Sequence, residues 1–415
     1  MPHKPLVADP SPGGRADVLV VGAGAAGLFA AAWAARTAAA AGRRLTVIAL
    51  DSARRLGAKI LVAGGGRCNV THRTVTEDDY AGSTPAAIRR VLRRFGVDET
   101  VRFFADAGVA LKTEETGKLF PVSDSARTVL DALVREAGRA GVAIVHPAKV
   151  TALARTADGF VADTAAGVFT ARRVILCTGG RSLPKSGSDG SGFALAGALG
   201  HSLAEPIVPA LVPLVLPPGH WITTLAGVTL PAEVTLVAAT GRRLLSVAGS
   251  TLCTHVGLSG PAILDISRYW LVARHADPTV RLALNWLPGT TAEDLDRKLV
   301  ADAARGALTV LRERLADRLA RTLCDQAGAP PSGDLPRDTR RRLAALVTAT
   351  PLEITGDRGF AVAEATAGGV PLAEVRLETL ESRVCPGLHL AGEVLDVDGR
   401  IGGFNFQWAW ASGFV

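Results

Sequence analysis

The segment with the richest chemistry in this chain is GGGRCNVTH, which runs over residues 64–72. Consecutive glycines let backbone amides approach a ligand without side chains in the way. Arg67 and Asn69 supply hydrogen-bond donors, and the thiol of Cys68 can either transfer a proton or fill apolar space. Taken alone, the segment fits a phosphate cradle, a metal site, a reactive cysteine or a tight turn.

A more specific signal precedes it, between an apolar strand predicted over residues 17–21 and an alanine-rich helix predicted over 25–41. The turn between them reads GAGAAG. In this GxGxxG pattern the first glycine permits a tight turn, the second admits a pyrophosphate to the backbone, and the third lets helix and strand pack closely. A second predicted strand, 45–50, ends in Asp51, which can accept hydrogen bonds from ribose hydroxyls or can be an ordinary turn residue. The sequence therefore predicts dinucleotide binding by Gly22, Ala23, Gly24, Ala26, Gly27 and Asp51.

Two further glycine-rich turns follow predicted strands later in the chain. Thr178, Gly179 and Gly180 follow a strand at 174–177, and Gly392 and Glu393 follow a strand near the C-terminus. A helix begins after Gly402 and Gly403, and its N-terminal N–H groups can face an electronegative ligand. Together with the triple glycine, these segments occur in the order expected of a flavoprotein with two dinucleotide-binding domains. FAD, rather than NAD alone, is the predicted dinucleotide.

The same segments resemble the BaiN/RdsA family of FAD-dependent oxidoreductases, which includes aminoacetone-oxidase-like flavoproteins. The resemblance covers nearly the whole chain and is carried by GAKILVAGGGRCNVTH, TGGRSLPKSGSDGSG and GEVLDVDGRIGGFNFQ, although Ala58 stands where members usually carry Arg. It implies an α/β fold, with a Rossmann-like FAD-binding domain of the two-dinucleotide-binding-domain flavoprotein type. We expect the FAD to be non-covalent, because no His, Cys or Tyr occupies a recognisable attachment position in the sequence. The further cofactor-binding residues that we expect are Lys59, Gly65, Gly66, Arg67, Cys68, Asn69, Val150, Thr178, Gly179, Gly180, Gly392, Glu393, Asp396, Gly402, Gly403, Asn405 and Gln407.

The family pattern and the change in residue composition along the chain both predict a discontinuous domain. We expect a flexible N-terminus at 1–16, an FAD-binding domain at 17–197 and 355–415, and an insertion at 198–354. Proline-punctuated apolar runs suggest a small β-barrel at about 198–288, and helical apolar spacing suggests a helical part at about 289–354.

Composition excludes other classes. The five cysteines of the 415-residue chain are scattered and never spaced as CxxC, so we expect no disulfide framework, no metal site and a cytoplasmic location. The apolar stretch at 17–36 is long enough to suggest a membrane span, but its glycine spacing favours a strand and a helix, and we expect no membrane association. The net charge of +7 permits an anionic partner. We interpret the arginine runs at 89–95 and 337–343 as solvated helix faces.

Two residues are candidates for proton transfer beside a flavin. His255 is the first, because an imidazole titrates near neutrality, and its alternative is a structural residue at a turn. Cys68 is the second, with apolar filling as its alternative. His72 and His201 have the character of structural residues. A second GxGxxG with its own strand and acid is absent from the sequence, as is a CxxxxC pair, so a disulfide reductase is excluded and NAD(P)H would have to enter the flavin site directly.

Three functions remain open at this point. The first is reduction of a C=C bond by flavin with NAD(P)H as transient donor, for which the resemblance implies a small enone or an rRNA uridine as substrate. The second is an amine or aminoketone oxidase that passes electrons to oxygen. The third is a non-catalytic flavin- or RNA-binding assembly protein. None of the three requires a stable protein partner.

Overall fold

The computed structural model describes residues 13–330 and 335–415 and divides the chain into two compact units. The first unit is Met1–Pro209 with Glu364–Val415, and the second is Ala210–Ala363. The predicted boundaries lay at 197/198 and 354/355. Residues 1–12 of the predicted flexible N-terminus lie outside the described residues. From Gly14 onward that segment is a strand.

In chain order, the strands of the described residues are β1 (Gly14–Val21), β2 (Val47–Leu50), β3 (Thr71–His72), β4 (Tyr80–Gly82), β5 (Leu111–Thr113), β6 (Lys118–Pro121), β7 (Ala143–Val145), β8 (Val150–Thr156), β9 (Gly159–Thr164), β10 (Gly167–Leu176), β11 (Ala204–Ala210), β12 (Leu214–Val215), β13 (Thr229–Val237), β14 (Arg243–Thr254), β15 (Gly257–Ser259), β16 (Arg281–Asn285), β17 (Thr350–Leu352), β18 (Gly356–Asp357), β19 (Ala365–Gly369), β20 (Val375–Arg376), β21 (Glu381–Ser382), β22 (Leu388–Leu390) and β23 (Val397–Gly399). The helices are α1 (Ala25–Ala40), α2 (Ala58–Val62), α3 (Pro85–Leu92), α4 (Val97–Asp106), α5 (Ala126–Arg139), α6 (Ser191–Ala198), α7 (Pro261–Ala276), α8 (Ala292–Ala301), α9 (Ala307–Arg312), α10 (Asp317–Ala327), α11 (Arg337–Thr348) and α12 (Phe404–Phe414).

The main sheet of the first unit has a parallel centre in the order β7-β2-β1-β10-β22. Val21 at the end of β1 lies opposite Leu50 of β2 and Leu176 of β10, and Leu176 lies opposite Leu390 of β22. Parallel strands in register bring their carboxyl ends to one edge of a sheet. This edge is where open α/β sheets bind ligands.

The helix α1 crosses from β1 to β2, and nine of its 16 residues are buried. Its alanines favour the helix and keep its surface small, which lets the C-terminal helix α12 come close. A Cβ placed on Gly413 of α12 would lie 2.9 Å from the carbonyl oxygen of Ala26 in α1. The beginning and the end of the chain are therefore packed together beside the same sheet.

The second unit has its own core and an antiparallel sheet in the order β17-β16-β13-β14-β15-β12-β18. This order has two ends, and a closed barrel is not seen within residues 210–330 and 335–363. The segment predicted as purely β also contains the 16-residue helix α7. Pro261 lies in the first turn of this helix, where its fixed φ angle is already helical. Its missing N–H costs nothing there, because the N–H groups of the first turn have no acceptor within the helix.

None of the helices formed by the described residues is both long enough and apolar enough to span a bilayer. The apolar stretch at 17–36 is shared between β1 and α1.

Candidate cofactor-binding site

Four predicted cofactor segments each begin where a strand of the parallel sheet ends. Gly22 follows β1, Asp51 follows β2, Thr178 comes two residues after β10, and Gly392 comes two residues after β22. Because these strands are parallel and adjacent, the fold brings the four segments to one edge of the first unit. Segments that are up to 370 positions apart in the sequence thus form one site.

The glycines of the first turn have distinct steric roles. Gly22 has a φ of +97°, and a Cβ on it would lie 2.4 Å from the carbonyl oxygen of Cys177. A Cβ on Gly27 would lie 1.8 Å from the carbonyl oxygen of Gly22, whereas a Cβ on Gly24 would meet nothing within 4 Å. Gly24 is the N-cap of α1 and no side chain caps this helix, so its first N–H groups are available to an anion. The open space over Gly24 is what a pyrophosphate needs.

Asp51 is held in place by two backbone hydrogen bonds. Its Oδ2 accepts from the N–H of Ala23 and its Oδ1 from the N–H of Ala53, both at 2.8 Å. Burial raises the pKa of Asp51, although both of these hydrogen bonds oppose the increase. Each carboxylate oxygen keeps a second lone pair, so the group can also accept from ribose hydroxyls.

The GGGRCN segment presents an open glycine surface. Gly64, Gly65 and Gly66 are exposed and have φ angles of +57°, +68° and +86°. A Cβ on Gly65 would meet nothing within 4 Å. Three successive residues in this left-handed region strongly favour glycine, because other residues reach it at a cost. The result is a surface on which a planar ligand can contact backbone directly.

Asn69 joins this segment to the start of α12. The side chain is buried, and its Oδ1 has no hydrogen-bond partner among the described residues. A Cβ on Gly403, which has a φ of +95°, would lie 2.8 Å from this oxygen. A buried acceptor without a partner is costly in the free protein and is satisfied when a ligand donates to it.

The two residues before Asn69 have surroundings formed by the protein itself. Cys68 is completely buried, and this burial raises the pKa of its thiol well above the ordinary value. Arg67 donates to Glu114 at 2.6 Å and lies over the ring of Phe120, with 4.0 Å from the guanidinium carbon to the ring centroid. Cys68 therefore has the surroundings of a packing residue, and the guanidinium of Arg67 is engaged by protein groups.

A polar network connects three of the strand-end segments. The ammonium of Lys59 donates to Ser182 Oγ at 2.6 Å and to Glu393 Oε2 at 2.5 Å, and Ser182 Oγ donates to Glu393 Oε1 at 2.9 Å. The hydroxyl of Thr366 accepts from the N–H groups of Arg181 and Ser182 at 2.8 and 3.1 Å. Sequence reasoning included Lys59 and Glu393 but missed Ser182 and Thr366, since no local pattern marks either residue.

The turn after β10 contributes two more unsatisfied hydroxyls. Within the described residues, the buried hydroxyl oxygens of Thr178 and Ser188 lack hydrogen-bond partners. Gly179 has a φ of +74°, and a Cβ there would lie 2.8 Å from Ser188 Oγ; a Cβ on Gly180 would lie 2.4 Å from Thr366 Oγ1. Ser188 is a further residue that the sequence did not single out.

Two C-terminal residues that we expected at the cofactor have side chains engaged within the protein. Asn405 exchanges hydrogen bonds with both backbone groups of Gly399, each at 2.9 Å. The side-chain oxygen Oε1 of Gln407 accepts from the hydroxyls of Thr71 and Thr100, at 2.7 and 2.9 Å. Its side-chain nitrogen Nε2 donates to the carbonyl oxygen of Phe95 at 2.9 Å. We infer that these side chains shape the loop and hold α12.

The other predicted residues are distributed over both units. Val150 is buried at the start of β8, Asp396 is buried between β22 and β23, and Gly402 has a φ of +139° just before α12. His255 belongs to the second unit, where it is exposed in the turn between β14 and β15.

The remaining polar candidates have structural contacts. The two ring nitrogens of His72 lie 2.9 and 3.0 Å from the carbonyl oxygens of Thr74 and Thr116, and His201 Nδ1 lies 2.6 Å from Glu374. All five cysteines are free and buried. Groups of three or more His, Cys, Asp or Glu side chains suited to a metal ion are absent from the described residues.

A family model covers nearly the whole chain. The model of the HI0933-like protein Rossmann domain matches residues 16–415. The chain belongs to the HI0933-like family. It is thereby a member of a family of FAD-dependent oxidoreductases, and the predicted family and fold class are confirmed.

Curated relatives cover almost the whole chain. It is 37% identical over 404 residues to the 3-dehydro-bile acid delta(4,6)-reductase of Clostridium scindens, an alignment that covers 95% of this chain and 97% of the relative. It is 34% identical over 407 residues to the ribosomal RNA dihydrouridine synthase of Escherichia coli strain K12, covering 97% of each. Among solved structures, the 3-ketosteroid delta1-dehydrogenase of Sterolibacterium denitrificans is 15% identical, with a TM-score of 0.48 and coverage of 96% of this chain and 98% of that one.

The residues of the first unit fit FAD. Gly24, Asp51 and Thr178 lie on segments that follow strands of the sheet, and Gly65 and Asn69 come after α2, whose Lys59 contacts Ser182 and Glu393. There is open space over Gly24 and Gly65, and the side-chain oxygens of Asn69 and Thr178 have no hydrogen-bond partner among the described residues. They provide room for phosphates, an acceptor for a ribose and buried polar atoms to which a ligand can bind.

Proposed function

We propose that this protein reduces a carbon–carbon double bond through FAD, with NAD(P)H as the electron donor. The supporting observation is that the chain is similar over nearly its full length to two relatives whose names denote hydrogen addition across a double bond, and that it carries residues that fit FAD. The substrate is either a small enone or a uridine in ribosomal RNA. The absence of a second GxGxxG in the sequence supports direct entry of the nicotinamide to the flavin site.

Bound FAD would supply the ring that accepts and donates hydride. The segment from Gly22 to Gly27 and the N-terminus of α1 would hold its pyrophosphate, and Asp51 would hold a ribose. Gly65, Gly66 and Asn69 would bind the flavin half together with Gly403 at the start of α12. Further cofactor contacts are proposed at the remaining expected residues, which are Lys59, Val150, Thr178, Gly179, Gly180, Gly392, Glu393, Asp396 and Gly402.

Reduction of a double bond needs one proton for each hydride. We assign the proton to His255, whose imidazole is exposed to solvent and can be reprotonated after each turnover. Cys68 is the weaker candidate, since its buried thiol has a raised pKa and holds its proton tightly. Replacement of His255 by Gln should lower kcat and change its pH profile, whereas Cys68→Ala should leave that profile unchanged.

The experiment that tests the function is anaerobic reduction of the holoprotein. NADPH or NADH should bleach the flavin absorbance, and a steroid dienone or an rRNA fragment should restore it with formation of the dihydro product. A flavin that neither nucleotide reduces would contradict the proposal. Rapid peroxide formation with a small amine would instead support an oxidase.

A further inference from the structure

Four arginines line one groove on the surface of the first unit. Arg89 and Arg90 lie in the last turn of α3, and Arg93 and Arg94 follow it directly. All four side chains are exposed, and the groove has a volume of about 470 Å³. Glu378 lines the same groove. None of these residues belongs to the cofactor site described above.

The charges in this groove are only partly balanced. Arg89 donates to Glu77 at 2.6 Å, and Arg90 forms an ion pair with Glu378. Arg93 and Arg94 have no carboxylate within ion-pair distance among residues 13–330 and 335–415. Four guanidinium groups against two carboxylates leave an excess of two positive charges.

The spacing of the arginines is itself informative. Arg89 and Arg93 are four positions apart, as are Arg90 and Arg94, so like charges are neighbours along one face of the chain. Arg93 and Arg94 lie just beyond the end of α3, so the four exposed like charges meet at the C-terminal end of this helix. The C-terminal end of α3 favours cations, which accounts for basic residues here, yet it does not require four that face the same groove. A polyanion in the groove would remove the mutual repulsion.

We infer that this arginine groove binds the phosphodiester backbone of an RNA. An RNA is then the favoured substrate class for the double-bond reduction proposed above, on which this inference rests. A guanidinium matches two phosphate oxygens at once, and several in a row suit a chain of phosphates better than a single anion. A steroid has no comparable charge. A membrane surface is less suitable, because the apolar residues that line the groove are only Ala86 and Leu377.

The test measures RNA binding by the FAD-loaded protein without turnover. A fluorescein-labelled RNA hairpin is titrated at a series of KCl concentrations against wild type and the double variant Arg93→Gln/Arg94→Gln. Each lost phosphate contact lowers the slope of log affinity against log salt by about 1. The double variant should therefore lose about 2 from this slope and bind roughly tenfold or more weakly at low salt.

A matched control is available at Arg43 and Arg44, another adjacent and exposed arginine pair after α1. Arg43→Gln/Arg44→Gln should retain the wild-type slope, which shows that the effect is not one of net charge. Equal slopes for both variants would overturn the inference. A selective rise in KM for NADPH, or selective loss of binding to phosphatidylserine vesicles, with unchanged RNA binding would also overturn it.

Anaerobic reduction of the bound flavin by NADPH distinguishes failure of this inference from failure of the proposed function. The Arg93/Arg94 variant should keep the wild-type rate of flavin reduction, because none of the groove residues is assigned to the cofactor. Loss of that rate together with RNA binding would show a general defect and would contradict the inference, whereas a wild-type flavin that NADPH does not reduce would contradict the proposed function.

Discussion

At the scale of single residues, the glycines of the first turn are required for two different reasons, close packing in the fold and space for the ligand. Gly27 is close-packed against the carbonyl oxygen of Gly22, while Gly24 faces open space. Both positions satisfy the same GxGxxG pattern. The motif predicts different roles for them, and their different steric surroundings agree with that prediction.

The same substitution at these two positions should therefore have different effects. Gly24→Ala should weaken FAD binding by roughly 10–100-fold, about 1.4–2.8 kcal/mol, because its methyl group enters the pyrophosphate space. The free energy of unfolding of the FAD-free protein should fall by only about 1 kcal/mol or less from the altered N-cap. Gly27→Ala should destabilise the FAD-free protein by about 1–3 kcal/mol or more through overpacking. FAD titration and thermal unfolding measure the two quantities, and equal effects on both would contradict the assignment.

The titration of Asp51 should change the FAD affinity and the stability of the FAD-free protein in opposite directions as pH rises. Burial raises its pKa above the ordinary value of 3.8. FAD needs the ionised carboxylate, so its affinity should fall as pH drops toward and through this raised pKa, by up to about tenfold per pH unit. In the FAD-free protein the folded state holds the proton more tightly than the unfolded state. The contribution of Asp51 to stability is therefore present at low pH and is lost as pH rises through the raised pKa.

Replacement of Asp51 by asparagine is the control for this titration. It should weaken FAD binding at neutral pH by about 1.5–3 kcal/mol, the range for a hydrogen bond to a charged group. It should also remove the acid-dependent part of the affinity profile. If wild type and Asp51→Asn gave the same FAD affinity profile between about pH 4 and 7, the acid dependence would have to come from another group and the role of Asp51 would be refuted.

At the scale of secondary-structure elements, α12 is positioned by buried polar contacts. Gln407 connects it to β3 through Thr71 and to α4 through Thr100. The indole of Trp408 donates to the carbonyl oxygen of Gly392, and that of Trp410 donates to the carbonyl oxygen of Val70. These bonds fix the N-terminus of the helix beside Asn69.

Removal of the Gln407 amide should loosen this arrangement. Gln407→Leu keeps the volume but leaves the hydroxyl of Thr71 and the carbonyl oxygen of Phe95 short of a partner, whereas Thr100 Oγ1 still has the carbonyl oxygen of Gly96 at 3.0 Å. We therefore expect a loss of about 2–4 kcal/mol in unfolding free energy. Thr100→Val should be less costly alone. In the double variant the effects should be less than additive by about 1 kcal/mol, measured by denaturant unfolding. Full additivity would show that the two side chains are not coupled.

At the scale of the whole molecule, the sequence predicted what depends on local pattern. The GxGxxG turn and Asp51 were identifiable because their function requires a strand, a tight turn and a helix in immediate succession. The meeting of Lys59, Ser182 and Glu393 was not, because it depends on parallel strands that place distant segments side by side. The helix α7 was missed within a predicted β region, although Gly260 and Pro261 are ordinary helix-start signals.

The division of the chain leads to a prediction about folding. All the residues that we assign to FAD lie in the first unit, and β11 and β19, which lead to and from the second unit, pair with each other. Replacement of Ala210–Ala363 by a short glycine-serine linker should therefore leave a protein that binds FAD. Circular dichroism and flavin absorbance measure the outcome. A folded variant without flavin would show that the second unit is required for binding.

The central claim is tested most directly by equilibrium titration of the flavin-free protein with FAD and, separately, with FMN. The account predicts one FAD per chain, much weaker binding of FMN because it lacks the adenosine and second phosphate held at Gly24 and Asp51, and release of intact FAD on acid denaturation. A correctly folded protein that binds no FAD, or that binds FMN equally well, would contradict it.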